Sequence, residues 1–157
     1  MSQPSVVHST FVLERSFPVS PERVFQAFAD PAQKRRWSID GGHHTVDYFE
    51  PDFRVGGLER FGIRLGPDTP VAGLACTNST TYLDIVPNRR IAFAAAMAIA
   101  GNCISASLAT VELLPTATGT DLIFTHQAAF FEGADGPQMR EAGWNTLLDN
   151  LVAELAR

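Results

Sequence analysis

The sequence predicts an α+β fold: a curved antiparallel β-sheet of six or seven strands around one long C-terminal helix, with two short helices after the first strand. Three observations predict it. From His43 to Ala129 the chain is a series of strand-like runs joined by short turns rich in glycine, proline and asparagine. Beyond Pro137 the apolar period becomes helical and holds for about five turns. Between the first strand and the series, prolines sit just inside two short helix starts. A sheet with one apolar face needs a cover, and the last helix is the only element long enough to give it.

The elements follow in order. Phe11 to Phe17 mixes apolar and charged residues at near-alternate positions and stops at Pro18, which marks a strand. Ser20-Pro21-Glu22-Arg23 starts a helix: Ser20 caps, Pro21 suits the first turn, and Glu22 favours the positive end of the dipole. Val24, Phe25 and Phe28 form its apolar stripe. Asp30-Pro31 restarts the chain as a second short helix with Asp30 as its cap, closing at Trp37. Strands are then expected over Thr45 to Glu50, Leu58 to Leu65, Val71 to Val86, Arg90 to Ile99, Cys103 to Leu114 and Thr120 to Phe130. The turns between neighbouring runs are short enough for antiparallel hairpins. In the final helix Met139, Gly143, Leu147, Leu151 and Leu155, with Trp144, Leu148 and Val152 beside them, make one wide apolar face. Arg140, Glu141, Asn145, Asp149 and Glu154 fall elsewhere on the wheel.

Bulk properties narrow the function. At 157 residues the chain is expected to form one domain over 1–157, with its core at about residues 10 to 156. Such a chain buries roughly 70% of its unfolded surface, enough for a core and a cavity. Twelve basic residues stand against 17 acidic ones, for a net charge of −5, and the one basic run is Lys34-Arg35-Arg36. That is too short to track a phosphate backbone, so no nucleic-acid partner is expected. Met1 to Ser9 lacks a basic start and an apolar run, so no signal peptide is expected. The longest apolar stretch, Ile91 to Ala100, is too short to span a bilayer, so no membrane partner is expected. Cys76 and Cys103 have no metal or disulfide spacing, and reduced thiols suit a cytoplasmic protein.

Several segments together resemble one family. Arg15 to Phe28, Asp30-Pro31 followed by Arg36-Trp37, the Asp52-Phe53-Arg54-Val55-Gly56-Gly57 turn, Tyr82 to Phe93, and Gly143-Trp144 with Leu148-Asp149 and Leu151 are similar, in order, to the activator-of-Hsp90-ATPase homologue (AHSA1-like) proteins. The resemblance spans residues 11 to 155. It implies the helix-grip fold of the START/Bet v 1-like (SRPBCC) group, whose members enclose a cavity. Those members include lipid carriers, cyclases, receptors and chaperone activators, so the fold names no substrate. The eukaryotic co-chaperones of that name carry a second domain for which this length leaves no room, which speaks against an Hsp90-type chaperone as partner.

Individual residues refine the expectation. The paired glycines Gly56-Gly57 have a backbone reason, a sharp bend at a sheet edge. His43-His44 point to opposite faces of an extended chain and lack a placed third ligand, so no metal is expected. No cofactor motif is present: no phosphate loop, HExxH or GxSxG. His126 shares a strand face with Leu122 and Phe124 and is either a bonded core residue or the polar end of a cavity, where it would titrate near neutral pH. Glu59 shares a face with Phe61 and Ile63. With that face inward, Glu59 is a buried carboxylate whose pKa rises unless a cation is near, and Arg60 and Arg64 go to solvent. Cys103, Ser105 and Ser107 form a small-residue face that makes room for a ligand or for Trp144. Trp37 and Trp144 are expected in the core.

The function expected from these residues is binding of an apolar or amphipathic small molecule. Its walls would be Phe61, Ile63, Phe93, Val111, Leu122, Phe124, Trp144, Leu148 and Val152, with His126 and Glu59 orienting the ligand. The alternatives are a cyclase or dehydratase working through His126 and Glu59, and a module that docks a chaperone through an edge strand or a patch beside Trp37; a homodimer would pair through a sheet edge or the exposed short helices.

Overall fold

The computed structural model describes residues 5–157. Residues 1–4, part of the stretch tested above for a signal peptide, lie outside it. The order is β1 (Val7–Phe17), α1 (Pro21–Ala29), α2 (Pro31–Ser38), β2 (Thr45–Glu50), β3 (Leu58–Arg64), β4 (Ala75–Val86), β5 (Arg90–Ile99), β6 (Asn102–Pro115), β7 (Thr120–Phe130) and α3 (Pro137–Leu155). The strands form one seven-stranded antiparallel sheet in the order β1-β7-β6-β5-β4-β3-β2. β2 to β7 therefore meander by hairpins. Only β1 departs from chain order, and α1 and α2 carry the chain from its edge to the opposite edge at β2.

Register places the inward side chains in rows across the sheet. One row reads Phe11, His126, Ala109, Phe93, Tyr82, and the next Leu13, Phe124, Val111, Ile91. On the other side of the first run Ala128, Ser107, Ala95, Thr80, Glu59 and then Phe130, Ser105, Met97, Asn78, Phe61. Register shifts at Val46/Tyr48, Tyr82/Asp84 and Met97/Ala98 each add a residue to one strand, which bends it and coils the sheet. α3 runs closest to α2, β1 and α1. The core joins Phe11, Leu13, Val24, Phe28, Trp37, Leu122, Phe124, Leu148 and Leu151 between these layers.

Local chemistry sets the ends. Ser20 Oγ accepts a hydrogen bond from the Arg23 amide at 3.2 Å, the cap expected for α1. Asp30 makes no side-chain cap for α2, contrary to expectation; its amide instead closes α1 on the Gln26 carbonyl. At the β3 entrance Gly56 has φ +81°, and a Cβ on Gly57 would lie 2.2 Å from the Asp52 carbonyl oxygen, so both positions require glycine. The expected strand from Val71 starts only at Ala75, because Pro70 and the left-handed Gly73 (φ +79°) turn the chain first. The apolar face of α3 also differs from its prediction. Val152 is 42% exposed, and Met139 is 66% exposed, while Arg140 and Glu154 are buried. No helix of the described residues is long and apolar enough to cross a membrane.

Candidate functional site

The concave rows, α2 and the first half of α3 surround a pocket of about 300 Å³. Phe61, Phe93, Val111, Phe124, His126, Trp144 and Leu148 border it, as does Glu59. Three residues expected among its walls do not. Leu122 lies wholly inside the core, one row farther toward Phe17, between Arg15 and Leu113 in register. Ile63 sits beyond Phe61 toward the end of β3, opposite Cys76. Val152 points outward from α3. The small-residue face is also shorter than expected: the register shift opposite Met97/Ala98 leaves Cys103 exposed, while Ser105 and Ser107 turn inward.

At one end of the pocket Glu59 is 7% exposed and fully partnered. Tyr82 Oη donates to Oε1 at 2.9 Å, and Lys34 Nζ donates to Oε2 at 3.3 Å and to Tyr82 Oη at 3.4 Å. The Gly56-Gly57 turn holds this group in place, since the Gly56 amide bonds the Tyr82 carbonyl and the Tyr82 amide bonds that of Gly57. Burial works to lower the Lys34 pKa, but the charge of Glu59, then Tyr82, prevails and the net direction is upward. Burial pushes the Tyr82 phenol up to about 12, with Lys34 opposing. Arg60 and Arg64 face solvent as expected, paired to Glu50 and Asp47.

At the other end Arg140 projects from α3. Its Nε and Nη2 donate to the two carboxylate oxygens of Asp135 at 2.8 and 2.9 Å, and Nη2 also reaches Ser105 Oγ at 2.9 Å. The Phe130 ring lies 5.1 Å from its guanidinium. On the β7 side of the pocket stands His126, 2% exposed, stacked on Phe11 with centroids 4.7 Å apart. Burial, helped by the Arg140 charge and opposed by Asp135, lowers its pKa to about 4. It is thus neutral at pH 7 and does not titrate near neutrality, contrary to the expectation for a proton-transfer group. His126 and Glu59 also lie four strands apart, about 19 Å along the sheet at the usual strand spacing. Glu59 bonds Lys34 and Tyr82, and both Glu59 and His126 border the pocket. His44 bonds the Ile39 carbonyl, and the described residues contain no cluster of three or more metal-ligating side chains.

Lys34, Tyr82, Asp135 and Arg140 were not foreseen from the sequence, yet Tyr82 and Arg140 carried a signal. Asn78, Thr80 and Tyr82 alternate on β4, a polar face at period two. Arg140 stands four residues before Trp144 on the apolar stripe of α3.

A coiled antiparallel sheet gripping a long C-terminal helix defines the helix-grip class of folds. The chain belongs to the family described as activator of Hsp90 ATPase homolog 1-like protein, which matches residues 18–156. Among solved structures it is similar to the Mll3558 protein of Rhizobium loti, with 47% identity over 96% of this chain and 99% of that one and a TM-score of 0.86. It is similar as well to a putative uncharacterized protein of Rhizobium leguminosarum, at 38% identity, 98% and 97% coverage and a TM-score of 0.89. A protein of unknown function from Staphylococcus aureus, SA2116, shares the fold at 16% identity, with 96% and 95% coverage and a TM-score of 0.75. No curated protein matches the chain.

Proposed function

We propose that this protein binds a small apolar or amphipathic molecule between the concave sheet and α3. The observation that carries this is the 300 Å³ pocket itself, bounded by Phe61, Phe93, Trp144 and Leu148 in a protein otherwise packed through Val24, Leu122 and Leu151. Native cores hold few voids larger than a water molecule, so a space this large is one that stability alone does not call for. Its character fits a ligand site, with mostly apolar and aromatic walls and a few polar groups placed at defined points. The exposed Met139 and Gly143 both border it, which puts its mouth beside the first turns of α3.

A thermal-shift screen with compact aromatic and alicyclic compounds tests this. A ligand at a hundred times its Kd adds about 2.7 kcal/mol, which raises Tm by roughly 5–10 °C in a domain of this size. A broad panel with no stabilising compound would sink the proposal.

A further inference from the structure

Among the described residues, Nδ1 of His126 is the only buried side-chain nitrogen or oxygen without a hydrogen-bond partner. Native interiors rarely leave such a group unmatched, because its lost hydration is not replaced. The imidazole borders the pocket, with Phe124 and Trp144 at 6.1 and 6.4 Å between centroids. Every charged group that lines the pocket is already matched. Glu59 has both oxygens occupied by Lys34 and Tyr82, and Arg140 is held by both oxygens of Asp135. Each pair sums to zero charge, so no bare cation waits for an anion. A carboxylate entering the pocket would lose its water and gain no uncompensated partner.

Building on the ligand-binding function above, we propose that the ligand is a compact, uncharged ring compound with one hydroxyl or carbonyl oxygen. Its ring would lie among Phe61, Phe93 and Trp144, and its oxygen would hydrogen-bond the His126 imidazole. The neutral imidazole has one N–H and one lone pair, so it gives a hydrogen bond to a carbonyl or takes one from a hydroxyl. A half-turn about χ2 keeps the ring in the plane stacked on Phe11 and exchanges its edges, so either nitrogen is available. The pocket volume stands at the low end for small-molecule sites, which sets the size at a ring or two.

NMR-detected titrations at pH 7 with 1-naphthol, 1-methylnaphthalene and 1-naphthoate test this. The three probes share one ring system and differ in one substituent. 1-Naphthol is expected to bind about three- to tenfold tighter than 1-methylnaphthalene, the worth of one net hydrogen bond, and to shift the His126 imidazole 15N resonances. 1-Naphthoate is expected to bind weakest. His126→Leu removes the hydroxyl preference, and Asp135→Asn, which uncovers Arg140, improves 1-naphthoate relative to 1-naphthol. Equal binding of the hydroxyl and methyl probes, a preference that survives His126→Leu, or 1-naphthoate binding tightest would overturn the inference and leave the ligand-binding function standing. An unchanged 1-naphthoate affinity in Asp135→Asn would overturn its charge argument. No binding by any probe would overturn both. Should His126→Leu fail to fold, the wild-type 15N shift on adding 1-naphthol decides alone.

Discussion

At the scale of single residues, Glu59 shows what makes a buried carboxylate tolerable. Its side chain is 9% exposed, and each oxygen has one donor, from Tyr82 and Lys34. Lys34→Met would leave that carboxylate inside with the phenol alone. Removing one partner of a buried pair costs far more than removing both, because the survivor keeps its desolvation penalty. Lys34→Met is therefore expected to lower unfolding free energy by about 2–4 kcal/mol, and Lys34→Met combined with Glu59→Leu to recover most of the loss. Urea denaturation of the two variants measures this. A double variant no more stable than the single one would show that the pair stabilises the fold in its own right.

At the scale of elements, the strands and helices were legible because period and punctuation agree. β2, β5 and β7 begin and end where alternation and turn residues place them, and α1 starts at its Ser-Pro pair. The faces of α3 were less legible. Period alone assigns the charged Arg140 and Glu154 to solvent. Each is buried because another element supplies its counter-charge: Asp135 on the loop before α3, and Arg36 of α2, whose Nε and Nη2 reach Glu154 at 2.9 and 2.8 Å. The pairing of Glu154 with Arg36, from a distant element, leaves no local trace in sequence, and for the same reason Lys34 was not matched to Glu59. Gly143, on the predicted apolar stripe, borders the pocket, although the walls expected from the sequence did not include it. A Cβ there meets nothing within 4 Å. Gly143→Ala is expected to stabilise the protein by about 0.5–1 kcal/mol through helix propensity. Gly143→Leu should project its side chain into the pocket mouth and abolish the thermal shift given by any ligand, while the protein stays folded by circular dichroism. Unchanged ligand stabilisation in Gly143→Leu would place the ligand elsewhere.

At the scale of the whole molecule, the buried titratable groups together shape the dependence of stability on pH. His126 has an ordinary pKa of 6.5 and a folded value of about 4, so the unfolded chain binds the extra proton first as pH falls. Its contribution is complete above 6.5 and disappears between 6.5 and about 4, a change on the order of 3 kcal/mol. The hydrogen bonds from Arg36 lead in holding Glu154 below its ordinary 4.5, so its contribution is present above 4.5 and is lost at still lower pH. On the alkaline side the signs reverse. Tyr82 rises from 10.0 to about 12 and Lys34 rises above 10.5, so both hold their protons more tightly when folded. Their stabilisation is full below pH 10 and declines above it. Burial also raises the Cys76 thiol above its ordinary 9.0, so the expected profile is a plateau from about pH 6.5 to 9, with an acid limb that begins well above the carboxylate range. Chemical denaturation across pH 4 to 11 measures it, and His126→Leu assigns the limb: between pH 6.5 and 4 the variant should be nearly flat where the parent falls. A parent and variant that decline in parallel over that interval would mean that His126 gains its proton without unfolding the protein, and the sealed, neutral imidazole on which the ligand's orientation depends would be lost with it.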